Sequence, residues 1–411
     1  MKRNVIYCAP VFGYPAIGGP ELKVKNILIS LSNNYDVKLI LWKKMDSPEF
    51  TKLVHEKNIE VFYVKRREFK NLGLNSRILS GKALTAWRLI RHRLAFEVTR
   101  DRKVVAQSIL SVASQTMTDL VWFSYSNYNV GQFLVLRKHG KFLKLIADTD
   151  SVSSRYTLRG IPFVGKKMKI KLMYEGYREI QKEIKLVNSC DTLTAVSEVD
   201  LEFYSSISKS KNTTLAYNVV DTSDYKNEKV DVISKYLIIT GSFGHFDSPM
   251  DHGTRWFIES VWPQVRLNHP DLRLRIVGKN SDAVWSGLSE PDIDVFGWVP
   301  DTTPHIANAA VCIVPLWFES GTRYKILEAG MLKTPVVSTS LGAEGLNVQD
   351  EIELLIADRP DHFARQVVRV IDTELGRILS ENLYRKVINH YSIKSLDKQV
   401  ISAVNLASTK N

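Results

Sequence analysis

Short apolar segments alternate with longer segments of helical periodicity along most of this chain. The first apolar segment, NVIYCAPVF at 4–12, ends in a loop rich in Gly and Pro, and ELKVKNILISLSN then repeats apolar residues at helical spacing. Further apolar segments follow at 36–42, 59–65, 119–126 and 142–150. Strands that alternate with helices are typical of open parallel sheets with helices on both faces. The sequence therefore predicts an α/β fold.

The same alternation restarts after a polar segment without clear periodicity, TSDYKNEKVDVISK at 222–235. A length of 411 residues also suits more than one domain. We predict two doubly wound, Rossmann-like domains at 1–221 and 236–385, joined by a linker at 222–235. Ligands of such sheets bind beyond the carboxyl ends of the strands, so two facing domains would form a binding cleft.

The positive charge of the chain lies in its N-terminal half. The formal net charge of +12 divides into +16 for residues 1–230 and −4 for residues 231–411. Lys and Arg alternate there with apolar residues at helical spacing in two segments, 65–93 and 165–185. This pattern is typical of a helix at an anionic membrane surface, although a solvated helix face is an alternative. Nucleic acid would also explain the charge, but no recognition motif accompanies it, and we predict no nucleic-acid partner.

Other features favour a cytoplasmic protein located peripherally on the inner face of a membrane. No segment reaches the ~18 apolar residues of a membrane span. The segment after MKRN is interrupted by Pro and Gly, which does not suit a signal peptide. The three cysteines, Cys8, Cys190 and Cys312, are far apart, and free buried thiols are predicted.

Charged and flexible residues are concentrated in the segment SGTRYKILEAG at 320–330, one residue after the apolar VCIVPLWF. Ser320 suits a helix N-cap, and Gly321 permits a close approach of the backbone. Thr322 and Arg323 would then lie in the first turn, where free N–H groups and the helix dipole favour a phosphate. Arg323 could add a bidentate contact.

Lys325 and Glu328 lie one helical turn apart in the same segment. Lys325 would add positive charge beside a phosphate, and a carboxylate such as Glu328 is a natural acceptor for the two hydroxyls of a ribose. The alternative is a solvated helix with a Lys–Glu pair three residues apart, which contributes only tenths of a kcal/mol.

The longer segment PLWFESGTRYKILEAGMLKTPVVSTSLGAEGL resembles the nucleotide-sugar signature of retaining glycosyltransferases of family 4, which have the GT-B fold. Other parts of the family pattern resemble segments of this chain in the same order: GGPELKVKNILISLS, CDTLTAVSEVD, YNVVD, LIITGSF, LRIVGKN and VFGWVPD. The resemblance implies two Rossmann-like domains that face each other across a cleft. It also implies a C-terminal helix at 386–411 that packs back on the N-terminal domain.

The implied activity is a metal-independent, hexosyltransferase-type transfer. A sugar passes from a nucleotide-diphosphate donor (UDP- or GDP-type) to the hydroxyl of a glycan or lipid-linked acceptor. Polysaccharide, lipopolysaccharide or glycolipid assembly would be its setting, with no cofactor. The alternatives are a nucleotide-sugar epimerase or phosphorylase-like enzyme on this fold, and a non-catalytic partner that binds sugar nucleotide or membrane.

The resemblance assigns roles to individual positions of this chain. Arg323, Lys325 and Asp150 are the implied catalytic residues, Asp150 because it follows a strand in the loop that approaches the reacting sugar. The Asp-x-Asp spacing in IADTDS also left metal binding as an alternative. Implied donor contacts come from three loops and one helix: Gly18, Gly19, Gly241, Ser242, Ser320, Gly321, Thr322, Arg323, Lys325 and Glu328.

One departure from the family pattern concerns a pair of glutamates spaced eight residues apart. Glu328 matches the second glutamate, whereas the first falls on Ser320, and Glu319 lies one position away.

Overall fold

A computed structural model describes residues 2–16, 18–64, 102–210, 212–225, 236–244, 248–288 and 290–409. The predicted basic segment 65–93 lies outside these residues, and so do residues 226–235 of the predicted linker. None of the helices within the described ranges combines the length and hydropathy needed to cross a membrane. All three cysteines are buried and free, as predicted.

Within the described residues, the N-terminal sheet has seven parallel strands in the order β3-β2-β1-β4-β5-β6-β7. Alternate residues of its central strand β1 enter different cores: Val5 and Tyr7 pack on one face, and Ile6 and Cys8 on the other. Both faces are covered, which explains the continuous apolar character of the strands. The strands are β1 (Asn4–Ala9), β2 (Asp36–Leu41), β3 (Glu60–Tyr63), β4 (Leu120–Phe123), β5 (Lys144–Asp148), β6 (Thr192–Ala195) and β7 (Thr213–Leu215).

Helices connect these strands and cover the sheet. The first begins directly after Gly18, whose φ of 84° lies in the left-handed region that favours glycine. In chain order the helices are α1 (Gly19–Asn34), α2 (Pro48–Glu56), α3 (Arg102–Gln115), α4 (Val130–His139), α5 (Ser153–Arg159), α6 (Lys166–Val187) and α7 (Glu198–Ile207). Short 3₁₀ turns lie at Ile161–Phe163 and Thr222–Asp224.

In the part of the chain that the structure describes, the second sheet has six parallel strands in the order β10-β9-β8-β11-β12-β13, around one continuous core. Its strands are β8 (Tyr236–Thr240), β9 (Arg273–Val277), β10 (Ile293–Gly297), β11 (Val311–Val314), β12 (Val336–Ser338) and β13 (Leu355–Ile356). Its helices are α8 (Pro249–Trp256), α9 (Trp262–Asn268), α10 (Ser281–Val284), α11 (Thr303–Ala307), α12 (Tyr324–Met331), α13 (Ser340–Ala343) and α14 (Pro360–Asp372). The predicted α/β architecture with two doubly wound sheets is confirmed.

The helical segment at 249–268 is not one regular α-helix. A π-helical turn at Phe257–Val261 separates α8 from α9. Pro263 lies in the first turn of α9. Since proline has no N–H to donate to the preceding turn, the regular helical hydrogen bonding cannot continue through this position.

The last two helices belong to different domains. Helix α15 (Leu375–His390) packs against α12, whereas α16 (Ile393–Ser408) packs against α1 and the strands β5 to β7. The chain crosses between the domains at Tyr391, whose carbonyl accepts a hydrogen bond from the N–H of Val220 at 2.9 Å. The start predicted for the C-terminal helix, residue 386, therefore lies inside α15.

Candidate functional site

The carboxyl ends of both sheets face a single cleft of about 1680 Å³. Loops that follow β1, β5, β8, β9, β10 and β11 form its walls. The cleft brings together every residue that the sequence assigned to the site: Gly18, Gly19, Asp150, Gly241, Ser242, Ser320, Gly321, Thr322, Arg323, Lys325 and Glu328. The first and the last of these residues are more than 300 positions apart in the sequence, and the two-domain fold brings them into one cleft.

The structure corrects the prediction for the start of the signature helix. Helix α12 begins at Tyr324, and Arg323 occupies the cap position with φ −104° and ψ 99° and no capping side chain. Ser320 does not cap this helix, because its hydroxyl instead accepts a hydrogen bond from the N–H of Val152 at 3.1 Å. Residues 320–323 thus form a loop that contacts the opposite domain.

Gly321 is the position of closest approach between this loop and the N-terminal domain. Its φ is +82°, and a Cβ atom placed there would lie 2.8 Å from the carbonyl oxygen of Asp150. Both the backbone conformation and the space therefore require glycine. Thr322 follows on the same loop and accepts a hydrogen bond from the side-chain amide of Asn218 at 2.8 Å.

Thr322, Lys325 and Glu328 are spaced by three residues and are all partly exposed, while the positions between them are buried. Side chains at this spacing lie along one face of a helix and its leading turn. All three line the cleft. This face therefore presents a hydroxyl, an amine and a carboxylate to any bound ligand.

The amine of Lys325 lies beneath the loop that follows β8. Its Nζ donates to the carbonyl of Thr240 and lies 2.9 Å from the Sδ atom of Met250. A Cβ atom at Gly241 would come within 2.9 Å of this Nζ. Burial lowers the pKa of Lys325 to about 8. The amine is thus partly neutral near physiological pH, and a bound anion would favour its charged form.

The carboxyl group of Glu328 accepts a hydrogen bond from the hydroxyl of Tyr225 at 3.3 Å. Burial raises the pKa of Glu328, and the Tyr225 hydrogen bond and the charge of Lys325 oppose this effect. Its remaining lone pairs can accept hydrogen bonds from ligand hydroxyls in the cleft.

Arg323 is only 5% exposed and stabilises its own loop through hydrogen bonds. Its Nη1 donates to the carbonyls of Ser320 and Gly321. Burial lowers the pKa of this guanidinium, and the carboxylate of Glu319 is the largest opposing influence. Nε and Nη2 have no hydrogen-bond partner among the residues that the structure describes. Because both atoms are buried, Arg323 contributes positive charge from beneath the surface of the cleft.

Asp150 lies on the opposite wall, two residues after the end of β5. Burial raises the pKa of its carboxyl group, and the charge of Lys23 opposes this effect. A buried ion pair supports the loop that carries Asp150. In this pair, Lys23 Nζ lies 3.1 Å from Asp148 Oδ1. The same Nζ donates a hydrogen bond to the carbonyl of Thr149.

Hydrogen bonds complete the surroundings of Asp148. Its two oxygens accept from the hydroxyls of Ser124 and Thr194, each at 2.8 Å. Both oxygens of Asp148 are therefore engaged by the ion pair and by these hydrogen bonds. Among the described residues, no group of three His, Cys, Asp or Glu side chains is placed to hold a metal ion.

Glycines allow other loops of the cleft to approach each other closely. A Cβ atom at Gly19 would lie 3.0 Å from Tyr324 Cδ2, so the start of α1 touches the start of α12 across the cleft. Gly278, which the sequence did not assign to the site, has φ +144° and a Cβ there would lie 1.8 Å from the carbonyl oxygen of Gly241. Ser242 is exposed beside it.

Side chains outside the predicted set join the two domains next to the cleft. Arg159 donates to both carboxylate oxygens of Glu344, at 2.6 and 2.7 Å, and to the carbonyl of Glu319 at 2.9 Å. The rings of Phe163 and Phe318 stack with centroids 4.9 Å apart. Sequence reasoning missed these pairs because no local pattern relates residues so distant along the chain. The burial of Lys23 could have been predicted, since Lys23 shares one side of α1 with the buried Ile27.

Residues 235–373 match the sequence model of the family described as Glycosyl transferases group 1. The matched residues span most of the C-terminal domain, which is therefore similar to members of that family. A curated relative is the "Uncharacterized 44.6 kDa protein in cps region" of Klebsiella pneumoniae, 25% identical over 240 residues. That alignment spans 56% of this chain and 60% of the relative, so the chain matches less than two thirds of that protein's length.

Three solved structures share the fold of the whole chain. Anabaena Alr3699/HepE in complex with UDP and glucose has a TM-score of 0.66 at 14% identity, covering 98% of this chain and 99% of its own. TarM of S. aureus, in complex with Fondaparinux, alpha-GlcNAc-glycerol and UDP, has a TM-score of 0.68 at 10% identity, covering 98% and 100%. WaaG, a glycosyltransferase involved in lipopolysaccharide biosynthesis, has a TM-score of 0.60 at 12% identity, covering 99% and 100%. The region that is similar to the group 1 family thus forms the second half of the fold, and the predicted GT-B fold is confirmed.

Proposed function

We propose that this protein is a retaining glycosyltransferase that moves a hexose from a nucleotide-diphosphate donor to an acceptor hydroxyl. The observation that carries the proposal is the arrangement of Lys325 and Glu328 on one wall of the cleft, opposite Asp150 on the other. The group 1 family match of the domain that carries Lys325 and Glu328 supports the same activity.

Negative charge develops on the departing nucleoside diphosphate, and positive groups that are already in place stabilise it. Lys325 and the buried charge of Arg323 are the candidates for this role, together with the backbone around Gly321 and Thr322. Gly18, Gly19, Gly241 and Ser242 allow backbone N–H groups to approach the phosphates. With these groups present, the proposed reaction requires no metal ion and no cofactor.

Glu328 is proposed to hold the donor ribose, since a carboxylate can accept hydrogen bonds from two adjacent hydroxyls. Asp150 faces this donor wall and is proposed to contact the sugar or the acceptor at the reacting carbon. Ser320, which stands at the place of a family glutamate, is bonded to Val152. We therefore propose that it positions the loop and does not bind the sugar.

The proposed acceptor is a glycan or a lipid-linked saccharide, in polysaccharide, lipopolysaccharide or glycolipid assembly. The relative from a cps region supports this setting, and so does the similarity to WaaG and TarM. We propose a UDP- or GDP-type donor, and the UDP complexes of two structural relatives favour UDP. A cytoplasmic protein held peripherally on the membrane's inner face, through the basic N-terminal domain, completes the proposal.

A thermal-shift screen of UDP- and GDP-sugars tests the donor. A ligand at one hundred times its dissociation constant stabilises the native state by about 2.7 kcal/mol, which gives a clear rise in melting temperature. Glu328→Ala should abolish this rise, whereas Glu202→Ala, at an exposed position on α7, should retain it. A screen in which no sugar nucleotide stabilises the protein would contradict the proposal.

The products formed from the stabilising donor separate the alternatives. Transfer to an acceptor supports the proposal, whereas epimerised donor or phosphorolysis without an acceptor would identify another enzyme on this fold. Donor binding without any turnover would identify a non-catalytic partner.

A further inference from the structure

The outward face of α6 carries a stripe of apolar side chains. Ile170, Met173, Tyr174 and Tyr177 are 73%, 59%, 63% and 60% exposed, and their spacing places them on one side of the helix. The opposite side, which includes Gly176 and Glu183, is buried against the domain. A surface helix normally buries its apolar side, and here the apolar side faces solvent. Contiguous exposed apolar residues of this kind mark an interaction surface.

Positive charges border this stripe. Lys167, Lys171 and Arg178 lie along one edge of it at helical spacing, and Lys166 and Lys169 lie at its N-terminal end. The guanidinium of Arg178 also lies 5.8 Å from the centre of the Tyr174 ring. Apolar side chains surrounded by Lys and Arg, with tyrosines among them, match the headgroup region of an anionic bilayer.

We propose that the α6 surface, defined as Ile170, Met173, Tyr174 and Tyr177 with Lys167, Lys171 and Arg178, inserts shallowly into an anionic lipid bilayer. The apolar side chains enter the boundary between headgroups and acyl chains, and the cations remain among the lipid phosphates. A second copy of the chain fits this surface less well, because two such borders would repel each other.

The position of the α6 surface beside the cleft gives it a role in the entry of a lipid-linked acceptor, and this role rests on the proposed function. Helix α5 and the turn Ile161–Phe163 connect the loop of Asp150 to the start of α6. Phe163 stacks on Phe318, which directly precedes the cleft residue Glu319. A bilayer bound at α6 therefore lies beside the seam between the domains, where a lipid-linked acceptor can enter.

Flotation with lipid vesicles tests the α6 surface. The probes are vesicles of equal parts phosphatidylglycerol and phosphatidylcholine, compared with vesicles of phosphatidylcholine alone. The wild-type protein should float with the anionic vesicles and not with the neutral ones. Replacing Ile170, Met173 and Tyr177 together by serine should lower the partition coefficient by at least roughly tenfold. Replacing Lys167 and Lys171 by alanine should lower it about fivefold for each lost charge.

Matched controls come from exposed apolar residues elsewhere. Met117 and Leu267 are 91% and 86% exposed, and Met117→Ser and Leu267→Ser should leave flotation unchanged. Flotation of the triple serine variant at the wild-type level, or no flotation of the wild type, would overturn the proposal. So would a wild-type dimer, seen by sedimentation velocity, that the triple variant converts to a monomer.

Thermal shift with the donor keeps this test separate from that of the proposed function. Every replaced residue is exposed, and the triple variant should bind the donor as the wild type does. Vesicle binding that depends on α6 supports the surface even where no sugar nucleotide binds in the cleft.

Discussion

At the scale of single residues, the protonation of the Lys325 amine bears most directly on the proposed catalysis. Burial lowers its pKa to about 8, and its Nζ is held by the carbonyl of Thr240. The charged amine is the form that can stabilise a departing diphosphate. Protonation of Lys325 should therefore govern the pH dependence of turnover.

We expect kcat/KM for the donor to fall as the pH rises through about 8, where the free protein loses the Lys325 proton. The value of kcat/KM falls with rising pH because the amine is charged below this pKa and neutral above it. Lys325→Arg should remove this decline, because a guanidinium stays charged, even though its absolute rate is lower. The same decline in Lys325→Arg as in the wild type would show that another group titrates.

Lys23 contributes to stability through its ion pair with Asp148, in which both side chains are fully buried. Lys23→Met leaves a buried carboxylate without its partner and should lower the free energy of unfolding by about 3–5 kcal/mol. Lys52→Met serves as the control, because Lys52 is 76% exposed and its replacement should change little. Urea denaturation measures both variants. Restored stability in a Lys23→Met, Asp148→Leu double variant would confirm that the unpaired charge is the cause, and a further loss would contradict it.

The sequence predicted which residue types line the cleft better than how each side chain is oriented. Gly321, Lys325 and Glu328 all line it. The bonding of Arg323 to carbonyls of its own loop could not be predicted, because it follows from how residues 320–323 pack on the other domain. The predicted cap at Ser320 was wrong for the same reason, since a contact with Val152 outweighs the local capping preference.

At the scale of elements, strands and helices were predictable wherever apolar periodicity was strong. The parallel arrangement of both sheets follows from the alternation of strands and helices, and the long helix α6 follows from the helical spacing of its apolar residues. The interruption at Phe257–Val261 was not anticipated, although Pro263 offered a signal. Helix ends depend on tertiary contacts, as the start of α12 shows, and such contacts are not encoded in local periodicity.

The loop between β11 and α12 depends on Gly321, whose φ is +82°. Gly321→Ala should displace the loop from Asp150, because its Cβ atom would meet the Asp150 carbonyl at 2.8 Å. We expect donor affinity to fall by roughly tenfold or more, since strained φ and a lost close contact together cost about 1–3 kcal/mol. Gly287→Ala is a suitable control, with no atom within 4 Å of the added methyl group. Calorimetric titration of the donor measures both, and equal affinities would contradict the role of this loop.

At the scale of the whole molecule, the two domains meet through the loop contacts around Gly321 and through the ion pair between Arg159 and Glu344. Helix α16 crosses back to the first domain and adds a second connection. Domains that face each other across a ligand cleft commonly close around the ligand. The ion pair lies beside this cleft and should favour the closed arrangement.

Arg159→Glu places like charges at this contact and should favour a more open arrangement of the domains. We expect a larger radius of gyration by small-angle X-ray scattering and a roughly tenfold weaker donor affinity, since hydrogen bonds to charged groups contribute about 1.5–3 kcal/mol. Reversing the pair, with Arg159→Glu and Glu344→Arg, should recover part of both. An unchanged radius and affinity in Arg159→Glu would show that the pair does not affect closure.

The most direct test of the donor site is calorimetric titration of UDP and GDP into the wild-type protein and into Lys325→Ala and Glu328→Ala. We predict that one of the two nucleotides binds with a stoichiometry of one, and that each substitution weakens this binding at least roughly tenfold while thermal unfolding remains cooperative. Binding of neither nucleotide, or binding that is equally tight in both variants, would contradict the assignment of the cleft.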